Sequence, residues 1–131
     1  MAESQSSLRT PLGRVRGLGS ARSGTEHFWM QRLTAVANVP LSLFMVGLII
    51  SLMGSNYAAV KSTLGSPIVA ISVILFVISA TWHMRLGMQI VIEDYVHAEG
   101  TKIVLLLANT FFTVVVALAS IFAVLKLSFG V

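Results

Sequence analysis

The sequence predicts an all-α integral membrane protein with three transmembrane helices behind a polar, Arg- and Ser-rich N-terminal segment. Hydrophobic residues make up 56% of the 131 positions and charged residues only 11%, against the roughly 25% charge with which a soluble domain covers its surface. The charges are also unevenly placed: residues 33–92 hold only Lys61 and Arg85, and residues 103–131 hold only Lys126. The apolar runs left between them are long enough to span a bilayer. In water they would have no solvated side, whereas in a membrane they form the lipid-facing surface.

Residues 1–32 form the polar segment, with five arginines against Glu3 and Glu26. It has no apolar stretch long enough for a signal-peptide core. Its composition resembles a mitochondrial transit peptide, but the expected reading is a polybasic segment lying against lipid headgroups at a bacterial inner membrane. The mitochondrial inner membrane is the alternative, and no nucleic-acid partner is expected. The first span covers residues 33–53, about 31 Å of helix for a hydrocarbon core about 30 Å thick. Pro40 lies within it and frees one carbonyl for neighbouring helices to satisfy. Phe28 and Trp29 precede it, where an aromatic belt belongs.

Residues 54–67 (GSNYAAVKSTLGSP) read as a short loop bounded by turn residues. Pro67, well suited to a first helical turn, opens the second span over 67–92. A ten-residue polar connection, EDYVHAEGTK, leads to the third span over 103–127. Basic residues near the span ends set orientation. The five arginines before the first span, against Lys61 alone after it, place the N-terminus in the cytoplasm and the C-terminus outside.

The chain has no cysteine, which excludes disulfides, thiolate metal sites and a Cys-ligated iron–sulfur cluster within it. With most of its residues in spans, it has no room for a soluble catalytic domain, so any catalysis is shared with partners. Ionisable groups inside a span are costly and mark function. They interrupt the apolar run only at TWHMRLGMQIVIEDY in the second span. His83 lies sixteen residues after Pro67 and eleven before Asp94, near mid-membrane. Eleven residues make three turns plus about 20°, so His83 and Asp94 share one helix face with Gly87 and Ile90.

A glycine one turn from a mid-span histidine suits a flat ligand such as haem, with His83 on the iron. The same pattern suits a structural histidine bonded to another helix, with Gly87 as a packing position. His27 and His97 fall at the inner water boundary, so the second ligand of a bis-histidine haem would come from another chain. Arg85, about 200° round the helix from His83, fits a haem propionate, a neighbouring subunit or snorkelling to the interface. Arg32, at the inner end of the first span, suits a propionate, a quinone pocket or a positive-inside anchor. Asp94 and Tyr95 pair a carboxylate with a phenol at the lipid–water boundary, where a quinone carbonyl needs a donor and a proton path. Each is also ordinary at such a boundary.

At HMRLGMQIVIEDYVH the sequence resembles the small hydrophobic anchor subunit of succinate dehydrogenase, the D-type subunit of complex II. That family carries His, then Gly four residues on, then Asp-Tyr at eleven and twelve, matched here by His83, Gly87, Asp94 and Tyr95. The approach to the first span, SGTEHFWMQRLTAVANVPL, is similar as well, and the resemblance covers residues 20–127. It implies that His83 is an axial ligand of haem b, opposite a histidine of a C-type cytochrome b anchor subunit. It also implies that Tyr95 bonds the ubiquinone head group with Asp94 beside it, in a pocket completed by the C-type anchor and the iron–sulfur subunit. Electrons from succinate would arrive through a flavoprotein subunit and that iron–sulfur subunit, coupling the tricarboxylic acid cycle to respiratory electron transport. The resemblance assigns no role to Arg85, and some family members lack haem. A fumarate reductase anchor and a non-redox membrane assembly subunit are the competing readings.

The orientation is tested by reporter fusions. A reporter after residue 131 is expected to read as periplasmic, and one within residues 97–101 as cytoplasmic. The reverse pattern would invert the topology.

Overall fold

The computed structural model of the protein describes Thr10 and residues 23–129, and helix accounts for nearly all of these described residues. The rest of the basic segment, including Arg9, Arg14, Arg16 and Arg22, lies outside the described residues. Among the described residues four helices follow one another: α1 (Ser23–Leu52), α2 (Tyr57–Gly65), α3 (Pro67–Tyr95) and α4 (Glu99–Phe129). Three of them, α1, α3 and α4, are long and apolar enough to cross a membrane, as the sequence predicts.

The helices run further than the apolar spans. α1 starts at Ser23 rather than Leu33, α3 continues to Tyr95, and α4 covers Glu99–Phe129. Hydropathy marks where lipid begins, whereas a helix ends only where its backbone hydrogen bonds are interrupted. No proline stands at the near ends of α1 and α4, and Glu26 and Glu99 each place a negative charge in a first turn, where the helix dipole favours it. At 30 residues, α1 is about 45 Å long and overshoots the hydrocarbon core. It passes through Pro40 without a break.

Two connections differ from expectation. The stretch read as a loop over 54–67 contains α2, a nine-residue helix. Gly54, at φ +78°, turns the chain out of α1, a conformation that side chains disfavour. Asn56 then caps α2, its side-chain oxygen accepting from Ala59 N at 2.9 Å. The ten-residue connection shrinks to Val96–Ala98, because both helices absorb the rest. Val96 N still bonds Ile92 O at 3.0 Å and Lys102 N bonds Ala98 O at 2.9 Å.

The antiparallel spans form a row with α3 in the middle, packed against α1 on one flank and α4 on the other. Lipid tails are as apolar as the side chains, so packing and interhelical hydrogen bonds hold such a row together. The buried positions are accordingly mostly modest in size: Thr34 on α1, Ala70, Val73, Leu86 and Ile92 on α3, and Thr113 on α4. Polar ties stitch the seams. Ser79 Oγ reaches Thr34 O at 3.4 Å, Asn109 Nδ2 donates to Arg85 O at 3.0 Å, and Ser128 Oγ donates to Leu64 O at 3.2 Å.

Asn109 is the side chain that ties α4 to α3 at depth. Replacing it with Leu is expected to lower the stability of the purified protein by about 0.5–1.5 kcal/mol in a detergent-unfolding titration. An unchanged midpoint would remove this bond from the forces that hold α4 in place.

Candidate functional site

The two sides of the α1–α3 crossing differ in chemistry. On one side lies an open groove of about 780 Å³, lined by His27, Phe28, Gln31, Arg32 and Ala35 of α1 and by His83, Gln89, Ile90 and Glu93 of α3. On the other side, a groove of about 430 Å³ is apolar but for Thr34 and Ser79, with Trp82, Leu41 and Leu75 among its walls. Six of the nine residues lining the first groove are polar or ionisable. Two of them, His83 and Gln89, lie within the 67–92 span, where such groups are expensive and mark function. Helical spacing brings them together: residues 28, 31, 32 and 35 share a face of α1, and residues 83 and 90 share a face of α3.

His83 sits on this groove at the level of the seam. Counted along α3, it is about 24 Å from Pro67 and about 18 Å from Tyr95. Its Nδ1 lies 3.1 Å from Thr34 Oγ1 across the helix contact. Gly87 faces α1 without being demanded by it. A methyl group there would lie 3.9 Å from Gln31 Nε2, an ordinary contact, so close helix packing does not account for the missing side chain. Glu93 is held along α3 by Gln89, whose Nε2 donates to Glu93 Oε1 at 2.8 Å. Among the described residues no three His, Cys, Asp or Glu gather as a metal-binding group; two imidazoles line the groove, His83 on α3 and His27 near the start of α1.

The residues singled out from the sequence fall in three places. Arg32 joins His83 on the groove, its guanidinium 5.2 Å from the centre of the Phe28 ring. Arg85 instead enters an adjoining cavity of about 180 Å³ with Glu26, Trp82 and Leu86. There its guanidinium lies 5.7 Å from the Trp82 ring, and its buried Nε has no partner within the described residues. Asp94 and Tyr95 close α3 in exposed positions and do not line the groove. Tyr95 is 78% exposed.

Glu93, Gln89, Gln31 and Thr34 were not anticipated as site residues. One signal was available: His27, Gln31, Thr34 and Asn38 recur at intervals of four, three and four, a polar stripe on an otherwise lipid-soluble helix. The buried Asn38 Oδ1 has no partner within the described residues.

Residues 6–117 match the family described as succinate dehydrogenase/fumarate reductase transmembrane subunit. The chain belongs to this family. It is therefore a multi-pass transmembrane subunit of a succinate dehydrogenase or fumarate reductase, and the matched range includes the whole groove together with Arg85, Asp94 and Tyr95. The succinate dehydrogenase hydrophobic membrane anchor subunit of Rickettsia bellii is 33% identical over 117 residues, 89% of this chain and 94% of its own length. That of Paracoccus denitrificans is 32% identical over 122 residues, 92% of this chain and 93% of its own. The succinate dehydrogenase membrane anchor subunit of Reclinomonas americana is 35% identical over 86 residues, 63% of this chain and 72% of its own. No solved structure matches the chain.

Proposed function

We propose that this chain anchors a succinate dehydrogenase in the membrane, holds haem b through His83 and contributes Tyr95 and Asp94 to a ubiquinone site. One observation carries the reading: a mid-span imidazole lies on a polar groove of about 780 Å³, within the volume range of cofactor pockets. The residues suit haem. His83 would supply a nitrogen ligand, Arg32 a cation for a propionate at the water-facing end, and Phe28 and Ile90 apolar walls. Gly87, one turn from His83, adds no side chain where α3 faces Gln31 at the edge of this groove. The second iron ligand is assigned to a histidine of the C-type cytochrome b anchor subunit. When bound, the haem supplies a one-electron carrier within the membrane.

Tyr95 and Asp94 sit outside the groove, at the exposed end of α3. That position suits a quinone pocket shared with the C-type anchor and the iron–sulfur subunit. The phenol donates to a quinone carbonyl, and Asp94 orients that phenol at the water boundary. Arg85, in its separate cavity, fits a neighbouring subunit better than the haem edge. The names of the relatives favour succinate oxidation over fumarate reduction, with electrons delivered through the flavoprotein and iron–sulfur subunits. The N-terminus is assigned to the cytoplasmic side, where those subunits would dock.

Two substitutions test the two sites separately. His83→Leu is expected to abolish or alter the low-spin haem spectrum of the purified complex while the chain still inserts. An unchanged bis-histidine spectrum would remove His83 as a ligand. Tyr95→Phe keeps the ring and removes one donor worth about 0.5–1.5 kcal/mol. Quinone reduction should fall about two- to tenfold, with haem content and succinate oxidation by an upstream artificial acceptor unchanged. Wild-type quinone turnover in Tyr95→Phe would leave Tyr95 as a membrane-belt residue.

A further inference from the structure

Thr34 is 8% exposed and is tied to α3 at both ends. Its carbonyl accepts from Ser79 Oγ at 3.4 Å, and its hydroxyl oxygen meets His83 Nδ1 at 3.1 Å. A hydroxyl has one proton and two lone pairs. The proton has acceptors within its own helix, Met30 O at 2.8 Å and Gln31 O at 3.2 Å. With the proton turned back along α1, a lone pair faces the imidazole, and the ring's Nδ1–H is the donor. Nε2 then keeps its lone pair. The opposite arrangement, with Thr34 donating to Nδ1, would put the ring proton on Nε2 and leave nothing to bind iron.

We infer that Thr34 is the positioning residue for His83: its hydroxyl fixes the tautomer and ring plane in which Nε2 serves as the haem ligand. The inference rests on the reading of His83 as a haem ligand. The second nitrogen of a metal-bound histidine is ordinarily held by a carboxylate, a carbonyl or water, which orients the ring and strengthens it as a donor. A threonine does this here without placing a charge in the lipid. Its β-branched side chain, bonded back to its own helix, holds the oxygen at one χ1 setting. The acceptor is neutral, so its pull on Nδ1–H is weaker than a carboxylate's, although donating its own proton along α1 strengthens it somewhat.

The test uses the intact complex carrying Thr34→Val, which keeps the shape and removes the acceptor, and Thr34→Ser, which keeps the acceptor. In Thr34→Val the apparent haem affinity should fall about tenfold. The haem midpoint potential should rise, because a weaker donor stabilises ferric iron less, and the paramagnetic resonance of the low-spin ferric haem should show an altered ligand-plane orientation. Thr34→Ser should restore all three. Thr34→Ala, which removes the hydroxyl without bulk, provides the same measurement if the valine complex does not assemble. A wild-type potential and resonance in Thr34→Val or Thr34→Ala would overturn the inference, as would a serine variant that behaves like valine. If His83→Leu abolishes the haem spectrum while Thr34→Val changes nothing, only the positioning role fails. If His83→Leu retains the wild-type spectrum, the ligand reading fails and the positioning role falls with it.

Discussion

Within a bilayer no water is available to complete a hydrogen bond, and that constraint organises this molecule. Backbone groups meet it by helix formation alone. Side chains meet it in two ways. Thr81, Thr110 and Thr113 bond back to carbonyls of their own helices, which consumes their polarity locally. Ser79, His83 and Asn109 instead reach across to another helix, Thr34 does both, and these ties set the register in which the spans pack. Asn38 Oδ1 and Arg85 Nε are buried without a partner within the described residues. A buried polar group left unpaired costs about 1–3 kcal/mol, so both atoms favour an assembly in which other groups meet them.

The middle position of α3 gives its two flanks different tasks. Toward α4 it presents an apolar seam with one amide tie, the bond from Asn109 to Arg85 O. Toward α1 it presents the groove with His83, Gln89 and Glu93. Arg85 belongs to both flanks: its backbone is held by α4, while its guanidinium lies over Trp82 in the small cavity beside Glu26. The seam with α4 therefore bears on how the α1-facing residues are held, even though α4 contributes nothing to the groove wall.

The three spans were legible because stretches of twenty or more predominantly apolar residues admit one explanation in a protein of this charge. Their helical ends were less so, since hydropathy records the lipid boundary and not the last hydrogen bond. α2 was hidden because YAAVKSTLG is too short for its periodicity to register; its cap, Asn56, is the feature that declares it. His83 was legible as the lone mid-span imidazole, and Arg32 does share its groove. Asp94 lies within about 20° of the His83 face by ideal helix geometry, yet Glu93 rather than Asp94 lines the groove. The groove wall depends on how α1 leans against α3, which spacing along one helix does not reveal. Thr34 was legible only as one member of the polar stripe on α1, and its pairing with His83 was hidden for a similar reason. A threonine in a membrane helix ordinarily bonds its own backbone, and only the pairing of α1 with α3 brings His83 to it.

The three-residue turn Val96–Ala98 has a consequence for biogenesis. With so little chain between them, α3 and α4 cannot enter the membrane as independent segments with independently chosen directions. Their directions are coupled: whichever side of the membrane holds the Val96–Ala98 turn, the start of α3 and the end of α4 lie together on the other. The depth of α3, and with it the depth of His83 and Tyr95, is therefore tied to the depth of α4.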